Sequence, residues 1–531
     1  MTNLAVAGGI LLLTALTWCE FPGHTWLQQD TQIYAPVLEH LRDPTVLRRD
    51  ILVASPQVSF TLYDEIARGL RSVTGLGFRE ILEGLQIVTR ALGIWGLYLM
   101  ATALGLSAPA SLLVAGIISL GAAIGGPAVL SVELEPDPRG LGIPLLLLGV
   151  GLAAHGRDFA AAAAASVALL LHPPTVYPFW CVYFCLAFWR RRFTVFLPLL
   201  CAGMILWIAA RHQESITEAR VLFSRLPQAI ENLQRMRAPY SWISEWWRQW
   251  LAHYVVLYAV SLWAYWRLRR RVRPALRFFL IGLPMAGILS VPVSWLLLEK
   301  LKWALVPQFQ PMRALLFVTV VAQFSAAAAG ILAAQSRRYF EAFAWLALAY
   351  LVPVNANVTW MPSWNRVLTV ALLAGAACFA ARDFRWSRLA MTCAAVAAFF
   401  VIPTLGGVPT YPRLHTPELE QLSAWARAST PRDAMFLFAD AGKHLEPGIF
   451  RTGAERAIYV DWKGGGQVNY LVGPALEWWS RWQQVLARPY DPNTVIDYQS
   501  LGIDYLVLSP EHRLAGRTPV YGNPRYLVYV P

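Results

Sequence analysis

The chain has 531 residues, 56% of them hydrophobic, and a formal net charge of +13; its mean hydropathy is +0.44. This apolar share exceeds the roughly 45–50% of ordinary soluble domains and argues against a plain soluble enzyme. The charge does not point to nucleic acid, because residues 408–531 carry 12 basic and 12 acidic side chains and the excess lies elsewhere.

Crossing about 30 Å of hydrocarbon takes about 20 apolar residues. Runs approaching that length occur near 3–20, 83–105, 109–130, 141–155, 159–172, 174–189, 193–210, 249–266, 278–298, 314–335, 339–353, 364–381 and 389–407. They predict an all-α polytopic membrane bundle of about thirteen helices, with the count resting on the shortest runs around 141–172. The first run, Asn3 to Trp18, lacks the basic start and small-residue cleavage site of a signal peptide and is read as a retained span. Basic clusters at Arg190–Arg192, Arg267 to Arg277, Arg337 with Arg338, and Arg382 to Arg388 fall in short loops, which marks the cytoplasmic face. With the N-terminus on that face, thirteen crossings place residues 408–531 outside.

Two outer segments are too long for simple turns. In residues 21–82, Ile33, Val37 and Leu41 with Tyr34 and Leu38 make one helical apolar face, opposite Glu39, Arg42 and Asp43. Phe60, Tyr63, Ile66, Ala67 and Leu70 make a second, opposite Asp64, Arg68 and Arg71. Such helices are expected in the plane of the membrane surface. In residues 211–248 and just beyond, Trp242, Trp246 and Trp250 share helical spacing and are expected as headgroup anchors. Residues 408–531 read as a soluble extracytoplasmic α/β domain. Helices are expected at about 416–428 and 471–486, and strands at Met435–Phe438, Ala457–Val460, Tyr505–Leu508 and Tyr526–Tyr529. The six cysteines all lie in or beside apolar runs, so no disulfide framework is implied, and Cys181 with Cys185 reads as two structural thiols.

Several polar residues can carry chemistry. Asp30, in QDTQIY just outside the first span, either activates a nucleophile or holds a metal, or else caps the helix starting near Thr31. Tyr34 follows one turn later. Glu133, Glu135 and Asp137, followed by Pro138-Arg139, lie after the third run on the same expected side as Asp30. They are either solvated loop charges or a second acidic position. Arg313 and Gln310 in FQPMR precede a span, Lys300 and Lys302 share their loop, and Arg235 and Arg237 are further cations. Each can bind a phosphate or contact headgroups. His172 sits in an outer turn beside two prolines, as a turn residue or a site residue; with no second His at ligand spacing, zinc is not expected. Asp461-Trp462-Lys463-Gly464-Gly465-Gly466 follows a strand, so either its backbone N–H groups and Lys463 cradle a phosphate or the glycines only make a tight turn.

The order of these features resembles the GT-C superfamily of integral membrane glycosyltransferases: about a dozen spans, an acidic residue in a helical first outer loop, a second acid after the third span, and a soluble C-terminal domain. Asp30 matches the first acidic position and Glu133 or Glu135 the second. The likeness is closest to uncharacterised bacterial GT-C-like proteins. The chain has a lone Asp30 where many members show a paired acid, and Trp478-Trp479 is followed by Ser480 rather than by the Asp of a WWD motif. The resemblance implies a bacterial inner-membrane enzyme that moves a sugar, with inversion, from a polyprenyl-phosphate donor to an envelope acceptor. Asp30, Glu133 and Glu135 would be catalytic, with a divalent Mg or Mn as an optional cofactor on the same three. Arg313, Gln310, Lys300 and Lys302 would hold the donor phosphate, and Tyr34, Arg139, His172 and Lys463 would line the site. The alternatives are a transporter or flippase of a lipid-linked glycan, and a non-catalytic envelope scaffold. A transporter is expected to show mid-membrane charges or related halves, and the sequence displays neither a repeat nor many such charges.

Overall fold

In the computed structural model, residues 2–54, 61–212, 223–354, 363–408, 414–492 and 497–531 are described. Phe60, from the second amphipathic face, lies outside them. The chain is mostly helical with a small C-terminal sheet. Among the described residues, five helices are long and apolar enough to cross a membrane: Phe78–Thr102, Phe193–His212, Pro274–Lys300, Val306–Gln335 and Ser387–Leu405. Shorter apolar helices, such as Asn3–Cys19, Pro138–Ala154 and Tyr339–Val354, occupy six of the other runs, and helices Pro173–Arg190 and Arg248–Leu268 occupy the remaining two.

The third run is not one helix. Ala108–Ser119 is helical, and the chain then forms a short antiparallel hairpin, β1 (Ala123–Ile124) and β2 (Val129–Leu130), with Ala123 opposite Leu130. Gly125 and Gly126 at its tip meet the rings of Trp250 and Trp246, where a Cβ on either would come within 2.8 Å. Gly126 also has φ +85°. Close approach of the two indoles therefore needs both glycines. This corrects the expectation for the tryptophans. Trp242 and Trp246 are buried and flank a short 3-10 turn, Ile243–Glu245, instead of lining one helix face at the headgroups.

The chain divides into two compact units: Met1–His24, Glu83–Ala209 and Tyr240–Thr410 form one, and Thr25–Leu82, Ala210–Pro239 and Tyr411–Pro531 form the other. The boundary expected near 407 is thus incomplete, because residues 25–82 and 210–239 belong with the C-terminal domain. The reason is burial. The apolar face of helix Thr31–Arg42 packs on protein, not on a lipid surface: Leu27 and Ala35 join the core formed by Leu419, Leu422, Phe436, Phe438, Phe450 and Val507. Val37 clusters with Val46, Leu47 and Val53, with Tyr34 and Leu41 against them. Gly448 admits this approach, since a Cβ there would overlap the Gln32 side chain.

The sheet of the second unit has the order β4-β3-β5-β7-β6, from β3 (Met435–Phe438), β4 (Ala457–Ile458), β5 (Tyr505–Leu508), β6 (Tyr521–Gly522) and β7 (Leu527–Tyr529). β3 is parallel to β4 and β5, and β7 is antiparallel to β5 and β6. Successive strands joined by helices give this parallel core. Helix Glu446–Ala454 links β3 to β4, and helix Val472–Val485 lies between β4 and β5.

One buried charge cluster ties the first-loop segment to this sheet. Arg451, fully buried, donates from Nε to Asp50 Oδ2 at 2.7 Å and from Nη2 to Asp461. Asp50 also accepts from the Ile458 and Leu52 N–H groups, both at 2.9 Å. Burial alone would push the guanidinium down, but Asp461 and Asp50 outweigh it and hold Arg451 above its ordinary value. Removing one partner from such a cluster strands buried charge and typically costs about 3–5 kcal/mol. Arg451→Met is therefore expected to destabilise the second unit by about that amount, read as a lower denaturation midpoint in tryptophan fluorescence; an unchanged midpoint contradicts the assignment.

Candidate functional site

The first unit contains an apolar groove of about 910 Å³ between helix Pro173–Arg190, the Pro274–Lys300 segment and the stretch Trp303–Pro311. Its lining runs along the second helix from Arg277 to Leu297, a rise of about 30 Å at helical pitch. That length equals the thickness of a bilayer's hydrocarbon. Met285, Leu289 and Val293 in its wall are exposed, so the groove is open along one side. A six-residue π-turn, Trp295–Lys300, ends this helix. π-turns often occur at functional positions.

At one end Phe309 and Pro311 line the groove and flank Gln310. Gln310 is 1% exposed and left-handed, at φ +47°. Neither its Oε1 nor the buried Nε of Arg313 has a hydrogen-bond partner among the described residues. The segment is fixed from the neighbouring helix by Tyr177, whose hydroxyl donates to the Pro311 carbonyl at 2.6 Å. Two unsatisfied buried polar groups on one short turn cost about 1–3 kcal/mol each; an anionic ligand that accepts from Arg313 would relieve that residue's share, whereas the Gln310 oxygen needs a donor. The other cations expected for a phosphate lie over tryptophan rings: Lys300 is 4.8 Å from the Trp295 centroid and Lys302 is 5.3 Å from that of Trp242. His172 is placed as a turn residue, with Nδ1 2.7 Å from Thr175 Oγ1.

The acidic segment after the hairpin folds back on itself. Glu133 Oε1 accepts from Arg139 Nε at 2.6 Å and from the Leu130 N–H at 3.0 Å. Asp137 accepts from Arg139 Nη2 at 3.0 Å and caps helix Pro138–Ala154 through the Gly140 N–H. Glu133, Glu135, Asp137 and Arg139 are all buried, which corrects the picture of solvated loop charges. Arg90 closes the region from helix Phe78–Thr102, donating to the carbonyls of Thr17, Gly23 and Glu133 at 2.7–2.9 Å.

In the second unit Asp30 and Lys463 come together: Lys463 Nζ donates to Asp30 Oδ1 at 2.7 Å. The side chain of Asp30 does not cap helix Thr31–Arg42, and its backbone is already helical, at φ −75° and ψ −24°. Tyr34 packs on Tyr63, with ring centroids 5.3 Å apart. Arg235 pairs with Glu231, and Arg237 donates to the Trp462 carbonyl. The glycine stretch is no phosphate cradle. Gly464 to Asn469 forms a six-residue 3-10 turn, and the Asp461 carboxylate takes the Gly464 N–H where an anion would sit. A Cβ on Gly465 would overlap the Trp478 indole, which donates to the Asp461 carbonyl at 2.8 Å.

A divalent metal does not fit these carboxylates. Arg139 holds Glu133 and Asp137, Lys463 holds Asp30, and among the described residues no group of three or more His, Cys, Asp or Glu is placed to bind an ion.

An acid pair escaped the sequence reading. Asp64, expected on the solvent face of helix Tyr63–Thr74, is only 8% exposed, and its Oδ1 has no hydrogen-bond partner among the described residues. Burial and the adjacent Glu65 push Asp64 up to about 8. The Asp64-Glu65 dipeptide was the available signal, masked by the amphipathic pattern around it.

A family model described as a domain of unknown function (DUF6798) matches residues 417–485. This stretch includes Arg451, Asp461 and Lys463. No curated protein matches the chain.

The raised value for Asp64 sets a pH dependence. The folded state holds the proton more tightly than the unfolded chain, whose Asp titrates near about 3.9. The resulting stabilisation is complete below that value and disappears as pH rises through about 8. Asp64→Asn should flatten this slope, gaining on the wild type in thermal unfolding at pH 9 and not at pH 5. Parallel curves for the two proteins would show that Asp64 is ionised in the fold.

Proposed function

We propose that the chain is a polytopic membrane glycosyltransferase of the GT-C type, using a polyprenyl-phosphate sugar as donor. The observation that carries the reading is the groove of the first unit, as long as a bilayer's hydrocarbon and ending at Phe309 and Pro311, next in the chain to Gln310 and Arg313, whose buried Oε1 and Nε have no partner among the described residues. The lipid tail lies along the apolar wall, and the phosphate accepts hydrogen bonds from Arg313. In the transfer, an acceptor hydroxyl oxygen attacks the anomeric carbon from the face opposite the phosphate. The new C–O bond forms as the bond to the phosphate oxygen breaks, polyprenyl phosphate leaves, and the acceptor proton passes to a carboxylate base. Lys463 fixes Asp30, the carboxylate expected in that role from the sequence. Arg313 stabilises the charge that develops on the leaving phosphate. Glu133 and Arg139 hold the acidic loop in shape, and Glu135 stays a candidate beside them. The protein sits in the bacterial inner membrane with residues 408–531 outside, and the acceptor is an envelope molecule.

A bilayer-long groove open on one side also suits a carrier of lipid-linked glycans, which would move the lipid without releasing its sugar. Protein in lipid nanodiscs, given polyprenyl-phosphate sugars and an envelope extract, separates the two readings. Release of polyprenyl phosphate that depends on the extract is expected, and Arg313→Gln should slow it by about a hundredfold. Wild-type release in that variant removes Arg313 from the donor site, and no release from any donor favours the carrier. Since the carboxylates do not suit a metal, EDTA is expected to leave the rate unchanged; a loss reversed by Mg or Mn would restore the metal site.

A further inference from the structure

The α/β sheet holds a second arrangement that the proposed transfer does not use. From the carboxyl end of β3 the chain turns to β4 on one side of the sheet, and from β5 it continues to β6 and β7 on the other. The carboxyl ends of β3 and β5 are adjacent and parallel, and the chain leaves them in opposite directions. In open α/β sheets such a switch point opens the crevice where ligands bind.

Three polar residues meet there: Asp440, two residues beyond β3, and Ser509 and His512, just beyond β5. Asp440 Oδ2 accepts from the Ser509 N–H at 2.7 Å, from the Ser509 hydroxyl at 2.7 Å and from His512 Nδ1 at 2.9 Å. A carboxylate oxygen in that position assigns the imidazole proton to Nδ1. Nε2 is then a lone-pair acceptor facing away from Asp440. Neither Nε2 of His512 nor Oδ1 of Asp440 has a protein partner among the described residues. The His512 side chain is 36% exposed and that of Asp440 13%. The Tyr490 ring stands 5.1 Å from the imidazole and walls one side. Ser509 gives its hydroxyl proton to Asp440 and is turned away from Nε2, so this is not the relay of a serine hydrolase.

The site thus presents two acceptors, one of them charged, next to an aromatic ring. Its complement is a ligand with neighbouring hydroxyl donors and a carbon face for the ring. We propose that the switch-point crevice is a saccharide-binding site, in which His512 Nε2 and Asp440 Oδ1 accept from adjacent sugar hydroxyls and Tyr490 packs on the ring. The site is independent of the donor groove. It would let the second unit hold a glycan whether or not the first transfers a sugar.

The test uses the full chain in nanodiscs and saturation-transfer NMR with methyl α-mannopyranoside, which carries vicinal hydroxyls, and tetrahydropyran-2-methanol, which keeps the ring and has none, as a poorer match. The mannoside should give saturation transfer that falls at least tenfold in His512→Phe and Tyr490→Ala, with unchanged unfolding midpoints. His512→Phe keeps an aromatic body at an exposed position, so it tests the acceptor even if Asp440→Asn disturbs the strand ends. No transfer, or equal transfer in His512→Phe, overturns the proposal. So does a response to Mg or Zn alone, which would make the crevice a cation site.

Discussion

The buried Arg451, held between Asp50 and Asp461, is the constraint on which the second unit depends. Two carboxylates and a guanidinium removed from water are tolerable only when each neutralises the others and backbone groups fill the remaining lone pairs. Asp50 therefore also takes the Ile458 and Leu52 N–H groups, and Asp461 takes that of Gly464. The cluster fixes the first-loop segment against β4 and, through Asp461, sets the turn that carries Lys463. Lys463 in turn holds Asp30. The residue expected from the sequence to activate the acceptor is thus positioned by a chain of charges that begins at Arg451.

In the first unit several buried charges are likewise met by partners. Arg139 neutralises Glu133 and Asp137, and Arg90 gathers three backbone carbonyls. At Gln310 and Arg313 the polar atoms are buried without partners. Burial of an unmet polar group is costly, and a ligand that bonds to Arg313 would lower that cost. The groove beside them supplies the apolar half of a lipid phosphate's environment. This pairing of an apolar groove with a neighbouring cation underlies the functional proposal.

Much of the helical architecture was legible in the sequence, because long apolar runs and short, wholly apolar strand segments have few other uses. Met435–Phe438 and Tyr505–Leu508 stand at the boundaries read from the sequence, and FQPMR was singled out for its cation before a span. What could not be read was the partner of each apolar face. The stripe of Ile33, Val37 and Leu41 has the same pattern whether a lipid surface or the C-terminal core covers it, and the structure shows the core. Residues 109–130 looked like a span because an apolar hairpin has the composition of one. Arg451 and the Asp440–His512 pair were illegible for a shared reason. Their burial and partners depend on contacts hundreds of residues apart or across neighbouring strands, and no local pattern marks a charge that will be enclosed. Asp30 with Lys463, and Glu133 with Arg139, were named separately in the sequence, and the fold supplied the pairing.

The central claim is that the groove holds a lipid phosphate with its head at Gln310 and Arg313. The most direct measurement is a cryo-EM structure of the chain in nanodiscs with undecaprenyl phosphate. The account predicts continuous tail density along the wall from Arg277 to Leu297 and a phosphate within hydrogen-bonding distance of Arg313. A structure at comparable lipid saturation with the groove filled only by disordered bilayer lipid, and with Arg313 bonded to protein, would contradict it.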